Sequence, residues 1–183
     1  MKYSKAVLLV LLAAVAANTL WADESNFQSG RFIGGVGLGG APTLSGFSSA
    51  YSTGGGVDGY LGFTVDRNLS LVLAIDSFVF TTNNPNVYSD EVNFAPSVKY
   101  AFGDSPTRFY LIGGLGANDS ITYVQTSGGT ISYIQKNFVI EPGAGVQIFL
   151  NGALNLYLQA KFIDVFASSQ FSYLPLTVGL DFK

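Results

Sequence analysis

The chain contains no cysteine and no histidine. Without cysteine, neither a disulfide framework nor thiol chemistry is available. Without histidine, a Ser/His/Asp catalytic set and the common His/Cys metal sites cannot be built. Charged residues are scarce as well, at 11% of the chain, whereas hydrophobic residues make up 48%. We therefore predict a protein that is not an enzyme, with no catalytic, cofactor-binding or metal-ligating residues.

Long apolar runs are also missing, except at the N-terminus. Lys2 and Lys5 precede an apolar run over residues 6–17, which is shorter than the roughly twenty residues that a spanning helix needs. This pattern is typical of a secretory signal peptide, and a retained membrane anchor is the alternative. We predict cleavage after Ala22, so that residues 1–22 are the signal peptide; a cut after Ala16 or Ala17 is the other option.

The remainder, residues 23–183, is acidic and unusually apolar. The net charge of the whole chain is −3, and without the two early lysines seven basic residues face twelve acidic ones, which does not favour nucleic acid as a partner. No linker divides this part, so it is predicted to form one domain. Soluble surfaces carry about 25–35% charged residues. The apolar surplus must therefore face something other than water, and a closed β-barrel is the spanning structure that remains.

Apolar and polar residues alternate with a period of two in eight segments. The predicted strands are residues 31–39, 54–66, 69–80, 91–102, 108–124, 131–150, 153–166 and 173–182. Short and long connections alternate between them, as in outer-membrane barrels with periplasmic turns and longer outer loops. We predict an all-β fold: an eight-stranded antiparallel up-and-down transmembrane β-barrel in a Gram-negative outer membrane, with both termini periplasmic. A soluble sandwich or lipocalin-like barrel is the competing architecture.

Two further features bear on this barrel. Pro96 and Pro142 fall inside predicted strands, and because a closed barrel has no free edge, we expect bulges or bends there. Aromatic residues are expected to form belts at the two membrane interfaces. The periplasmic belt would contain Tyr100, Phe102, Phe109 and Phe182, and the outer belt Phe78, Phe80, Tyr88, Tyr123 and Tyr133.

The glycine-rich first strand, with its run at residues 34–40, and the alternating last strand, residues 174–182, follow the signal peptide. Together they resemble the OmpA/OmpX-like family of small outer-membrane β-barrels. The resemblance implies that barrel fold and a terminal aromatic residue that the barrel-assembly machinery reads, a role that falls to Phe182. This sequence departs from the family by placing Lys183 after the aromatic residue.

Several charged residues fall on the inward face of the predicted strands. Counting across the hairpins places Glu141 near Lys161, and Asp58 beside Asp76. Buried charges need partners. We predict a charge cluster in the lumen in which Lys161 bridges Glu141 and the two aspartates, and a second pair where the barrel closes. The cluster comprises Asp58, Asp76, Lys99, Glu141 and Lys161, and the closure pair is Arg31 with Asp181. A structural plug and a gate for a narrow ion path are both open interpretations.

The predicted function is a structural or surface-interaction role carried by the extracellular loops. Residues 118–136 contain two β-prone stretches around Ser127, which predict a hairpin that continues beyond the membrane and offers an edge to an extracellular partner. The alternative is a narrow, porin-like channel or a carrier for small or apolar solutes, lined by Tyr60, Tyr110, Phe149 and Tyr157. We expect outer-membrane lipid and the barrel-assembly machinery as further partners, no cofactor, and a monomer.

Overall fold

The computed structural model describes residues 30–44, 50–103, 106–151, 154–168 and 170–182. The predicted signal peptide, its cleavage site and Lys183 lie outside the described residues. The described part of the chain is all-β and pairs into one antiparallel sheet. A helix with the length and hydrophobicity of a membrane span does not occur in that part.

The sheet closes on itself because its last strand pairs with its first. The strands are β1 (Phe32–Ala41), β2 (Gly54–Thr64), β3 (Leu69–Thr81), β4 (Val87–Phe102), β5 (Thr107–Thr126), β6 (Gly129–Ile140), β7 (Gly143–Asn151), β8 (Leu154–Lys161), β9 (Ile163–Phe166), β10 (Phe171–Tyr173) and β11 (Leu176–Phe182). β6 continues as β7, β8 as β9, and β10 as β11, each pair forming one barrel strand. Since β11 pairs with β1, the predicted eight-stranded antiparallel barrel is confirmed.

The prolines interrupt the barrel without shifting its register. Pro142 separates β6 from β7, yet both pair with β5 in one continuous register. Pro96 stays within β4 opposite Leu73, and the pairing of β4 with β5 resumes unshifted at Ser97. Of the two predicted alternatives, a bulge is therefore wrong at both positions, whereas a bend of the strand stays a prediction. A proline lacks the backbone N–H, so it leaves a local gap in the ladder while the neighbouring hydrogen bonds hold the alignment.

The alternation along each strand separates an apolar outer face from a mixed interior. On β5, for example, Phe109, Leu111 and Leu115 are exposed, whereas Tyr110 and Ile112 between them are buried. Exposed leucine, valine and phenylalanine recur on the outer faces of the other strands, and the buried set includes most of the lysine and carboxylate side chains. This distribution is the reverse of a soluble barrel and is that of a transmembrane one.

The aromatic belts agree with the prediction only in part. Tyr100, Phe102 and Phe109 are exposed on the outer face near one end of the barrel. Phe78 and Phe80, which were assigned to the outer belt, are instead fully buried inside. They occupy the same alternate positions of β3 as Asp76, and the pleat of a strand sends all such positions to one face. Their assignment to the belt was therefore wrong.

Candidate functional site

The predicted charge cluster is centred on Lys161, which points inward from the end of β8. Its Nζ lies 2.8 and 2.9 Å from the two carboxylate oxygens of Asp76 on β3, and 3.3 Å from Oε2 of Glu141, which follows β6. All three side chains are buried. The lysine thus joins three barrel strands across the lumen, as predicted for these two partners.

Asp58 lies directly opposite Asp76 in the register of β2 and β3, but its partners differ from the prediction. Its carboxylate accepts hydrogen bonds from Tyr157 Oη at 3.0 Å and from Gln159 Nε2 at 2.9 Å. An ammonium group has three donors, and those of Lys161 are engaged by Asp76 and Glu141. The expected bridge from Lys161 to Asp58 is therefore replaced by neutral donors of β8.

Lys99 belongs to a second cluster, nearer the end of the barrel that holds Phe182. Its Nζ lies 2.7 Å from Tyr60 Oη and 3.5 Å from Oδ2 of Asp181, and it sits 4.3 Å from the centre of the Tyr110 ring. Gln147 donates to both oxygens of Asp181, and further hydrogen bonds to this carboxylate come from Tyr60 and Asn155. Lys99 is thus separate from the Lys161 cluster to which it was assigned.

The predicted closure pair is corrected by the same geometry. Asp181 is opposite Gly35 of β1, four residues from Arg31, or about 13 Å along a strand. In the described residues, the ion pair of Asp181 is with Lys99, in place of the predicted pair with Arg31. The sequence placed both charges near the seam but did not show how far β1 extends past the end of β11.

A third polar network, which lies around Glu91 of β4, was not predicted from the sequence. The Glu91 carboxylate is fully buried and accepts hydrogen bonds from Ser89 and Ser120, both at 2.7 Å, and from Asn118 at 3.1 Å. Asn118 also donates to Asn93. The alternation of β4 carried the signal, because Glu91 shares a face with Asn93 and Lys99. In the described residues no group of acidic side chains is arranged to hold a metal ion.

Apolar side chains from β1, β3, β6, β9 and β10 close the interior towards one end of the barrel. The buried cluster there comprises Ala41, Phe78, Phe80, Val139, Ile163, Val165, Phe171 and Tyr173. Towards the other end, Tyr60, Tyr110 and Tyr157 are buried and hydrogen-bonded, so they fill the lumen rather than line a cavity. Phe149, which was also placed inside, is 51% exposed at the rim. This packing favours the structural interpretation of the charge clusters.

The terminal aromatic residue Phe182 takes an outward position on β11 but is only 8% exposed. Its ring lies over Gly34 of β1, where an added Cβ would approach the ring to 2.6 Å. Gly34 and Phe182 are also direct partners in the register that closes the barrel. The aromatic ring therefore covers the closing seam, while its predicted role as an assembly signal stays a prediction.

The predicted hairpin beyond the barrel is formed by β5 and β6. The two strands pair without a shift from Leu115 opposite Ile140 up to Thr126 opposite Gly129, and Ser127 and Gly128 make the turn. Above Asn137, residues 129–136 of β6 are exposed on both faces. At the base of this segment Lys136 Nζ lies 3.7 Å from Oδ1 of Asp119. The hairpin thus presents a two-sided, mostly uncharged surface.

No protein-family model matches the chain, and no curated protein matches its sequence. Solved structures do match its fold. Neisserial surface protein A is 17% identical, over 83% of this chain and 96% of that chain, with a TM-score of 0.64. Ail, the attachment invasion locus protein of Yersinia pestis, is 11% identical over 85% and 99%, with a TM-score of 0.58.

The outer membrane protein OprG from Pseudomonas aeruginosa is 11% identical, over 87% of this chain and 98% of that chain, with a TM-score of 0.52. At such identities the likeness concerns the fold. It agrees with the closed register, the apolar outer face and the filled interior of the barrel. The chain therefore has the fold of the small outer-membrane β-barrels, the fold that its resemblance to OmpA/OmpX-like proteins implied.

Proposed function

We propose that this chain is a non-enzymatic integral outer-membrane β-barrel that presents the β5–β6 hairpin at the cell surface for contact with an extracellular partner. The observation that carries the proposal is the length of the hairpin. β5 has 20 residues, whereas a tilted strand crosses a bilayer with about 9–11. The surplus forms a paired, exposed extension that the barrel itself does not require.

The orientation of the barrel supports the surface placement of the hairpin. Gly30 N donates to Thr64 O beside the short β2–β3 turn, and Phe182 lies opposite Gly34, so both described ends of the chain are at the end with the short turns. In outer-membrane barrels, short turns face the periplasm and long connections face outward. The β5–β6 hairpin projects from the opposite end of the barrel, which is the outer one in that arrangement.

The descriptions of two similar structures point to the same kind of role. One is described as a surface protein and the other as an attachment invasion locus protein. Ail has also been solved with the heparin analogue sucrose octasulfate. A polyanion does not suit the hairpin of this chain, because residues 118–137 contain one lysine, Lys136, which is already beside Asp119. An uncharged or weakly charged partner fits this surface better.

The channel or carrier alternative receives less support, because described side chains fill the lumen at successive levels. Lys99 with Asp181, Lys161 with Asp76, and the apolar cluster around Phe80 lie one after another along the barrel. An eight-stranded barrel leaves an interior just wide enough for side chains. Conductance in planar bilayers is expected to be absent for the purified chain.

A shortened hairpin tests the proposal. Deleting residues 121–126 and 129–134 joins Ser120 and Gln135 through the original Ser127-Gly128 turn, and since these two residues are already opposite each other, the register is kept. We expect cells that carry the full chain to adhere several-fold better to epithelial monolayers or to protein-coated plastic than cells that carry the shortened chain.

The control must show that the barrel itself is unchanged. The full chain and the shortened chain should both keep the heat-dependent gel shift of a folded barrel. As a matched control, Asn83→Ala, in the exposed β3–β4 connection, should leave adhesion unchanged. Equal adhesion of the full and the shortened chain, with both folded in the outer membrane, would overturn the proposal.

A further inference from the structure

The outer edge of β6 is unpaired along most of its length in the described part of the chain. On one side, β5 pairs with all of β6, from Gly129 to Ile140. On the other side, β9 pairs only with Phe138, Val139 and Ile140. Among the described residues, residues 129–137 therefore have a hydrogen-bonded neighbouring strand on one side only.

Alternate residues of β6 direct their backbone groups to this edge. In an antiparallel ladder, each residue either exchanges both hydrogen bonds with its opposite residue or points both groups the other way. Glu141 N donates to Gly114 O on the β5 side, and Pro142 O accepts from Phe162 N on the β9 side. Odd-numbered residues therefore bind β5. The unshifted register extends this alternation to the hairpin, so Thr130, Ser132, Ile134 and Lys136 present N–H and C=O groups on the free edge.

The β5 strand gives an independent check of this alternation. Gln125 lies opposite Thr130, and Gln125 N donates away from β6, to Asn86 O at 2.7 Å. A residue pair whose members do not bond each other has both sets of backbone groups directed outward. Thr130 must therefore direct its groups to the free edge of β6, in agreement with the parity inferred from Glu141.

In the part of the chain that the structure describes, the free edge lacks the features that normally prevent strands from pairing. Exposed edges are usually protected by proline, bulges, several charges or a covering segment. Residues 129–137 contain no proline, their register is unshifted, and their single charge is Lys136 at the base. Ile131, Tyr133 and Ile134 are β-prone and exposed. Such an edge accepts another strand by β-augmentation.

We infer that this edge pairs antiparallel with the same edge of a second copy of the chain in a facing membrane, so that two hairpins tether two membranes. The inference rests on the proposed function and names the partner of the hairpin. Pairing centred on Tyr133 sets Ser132 of each copy opposite Ile134 of the other, and Thr130 opposite Lys136. No lysine faces a lysine, and the two Tyr133 rings meet across the strands, which stabilises the pair.

Symmetry decides that the two copies lie in facing membranes. An isologous contact needs a two-fold axis, and for antiparallel strands this axis is perpendicular to them. Two barrels in one membrane stand the same way up and are related by an axis along the membrane normal. Barrel strands tilt by about 35–45°, so the two edges would then cross at roughly 80°. An axis in the plane between two facing membranes makes the same edges antiparallel.

Vesicle clustering tests the inference with the purified full chain. Donor-labelled and acceptor-labelled phosphatidylcholine vesicles are loaded with the chain at equal density, and protease sensitivity of the hairpin shows how much of it faces outward. We expect energy transfer between the populations to rise several-fold when both carry the chain, and to stay at background when one population is empty.

Two substitutions at one position isolate the edge hydrogen bonds. Ser132→Pro removes an N–H that points to the free edge and leaves the bonds to β5 in place, so we expect clustering to slow at least tenfold. Ser132→Ala removes the serine hydroxyl, as Ser132→Pro also does, but keeps the backbone N–H, so clustering should be unchanged. The heat-dependent gel shift of both variants and the hairpin protease pattern report whether the barrel and the hairpin are intact.

Three results would overturn self-pairing: no clustering by the wild-type chain with outward hairpins, clustering that needs the chain in one population only, or equal clustering by Ser132→Pro. The second of these results would identify lipid as the occupant of the edge. Hairpin-dependent adhesion of cells without vesicle clustering would overturn the inference and leave the proposed function standing. Adhesion that survives hairpin shortening would overturn the proposed function itself.

Discussion

The barrel interior and the outer hairpin each contain a lysine–aspartate contact, but the two environments are opposite. Lys161 and Asp76 are 2.8 Å apart, with side chains 2% and 0% exposed, whereas Lys136 and Asp119 are 3.7 Å apart and 81% and 35% exposed. Inside, water is excluded, so each buried charge needs an ion-pair or hydrogen-bond partner. Outside, water and salt screen the pair. The interior contacts therefore hold the barrel together, and the hairpin surface is left available for partners.

Removing each lysine gives the largest contrast between the two regions. Lys161→Ala leaves Asp76 and Glu141 buried without a cation, so the free energy of unfolding should fall by about 3–5 kcal/mol. Lys136→Ala should change it by about 0–1 kcal/mol. Urea titration in detergent micelles, followed by the gel shift of the folded barrel, measures both. Equal small losses would mean that water screens the Lys161 cluster.

The same Lys161→Ala variant also separates the two interpretations of the charge cluster. If the cluster is a structural plug, wild type and variant should both be silent in planar bilayers, because the apolar cluster around Phe80 and Tyr173 remains in place. Conductance that appears only in the variant would instead identify Lys161 as a gate.

Two glycines on the outer face of the barrel should respond differently to substitution by alanine. At Gly34 an added Cβ meets the Phe182 ring, whereas at Gly113 it meets nothing within 4 Å. Gly34→Ala should destabilise the barrel by about 1–3 kcal/mol because the ring must move. Gly113→Ala should be neutral or stabilise by up to about 1 kcal/mol through the unfolded chain. In a Phe182→Leu background, Gly34→Ala should lower the free energy of unfolding by less than it does in the wild type. An unchanged loss of stability would rule out the contact with the Phe182 ring as its cause.

Shortening the hairpin should destabilise the barrel less than Lys161→Ala or Gly34→Ala. The deleted residues 121–126 and 129–134 are mostly exposed and contact little besides one another and the outer part of β4. We expect a change of about 1 kcal/mol or less, since exposed substitutions and deletions remove few buried contacts. A much larger loss would show that the hairpin belongs to the folding unit of the barrel and is not a separate extension.

The smallest expected effect concerns the β2–β3 turn, outside the barrel strands. The backbone N–H groups of Asn68 and Leu69 donate to Asp66 Oδ1 at 2.7 and 2.8 Å. These hydrogen bonds hold the pKa of the Asp66 carboxyl below its usual value of 3.8. A lowered folded pKa means that the stabilisation is present above the ordinary pKa and is lost as the pH falls through the folded value. The stability difference between wild type and Asp66→Ala should therefore be slight at neutral pH and vanish in strong acid.

The strands could be predicted closely because alternation is a local signal. The predicted strand over residues 69–80 corresponds to Leu69–Thr81, and that over residues 54–66 to Gly54–Thr64. The hairpin around Ser127 was predicted for the same reason, since its two stretches are β-prone and separated by glycine. Proline was the exception, because its cost in a ladder depends on whether neighbouring hydrogen bonds can hold the register, as they do around Pro142.

The partners of the interior charges could be predicted only in part. Asp58 opposite Asp76 followed from one turn, and Lys161 with Glu141 from one hairpin. Asp181 pairs with Lys99 of β4, and Asp58 accepts from Tyr157 of β8, which are contacts across the lumen. Such contacts depend on the stagger with which the sheet closes. Phe78 and Phe80 were misplaced because an aromatic residue suits both an interface belt and a core.

The sequence by itself determined that the chain is all-β, that its strands number eight, and that its outer face is apolar, because these follow from a period of two and from the scarcity of charge. The tertiary structure decided which charges meet, which aromatic rings fill the lumen, and which edge of β6 has no neighbouring strand among the described residues. Closing a sheet into a barrel sets the stagger of every strand against every other, and no local pattern contains that relation.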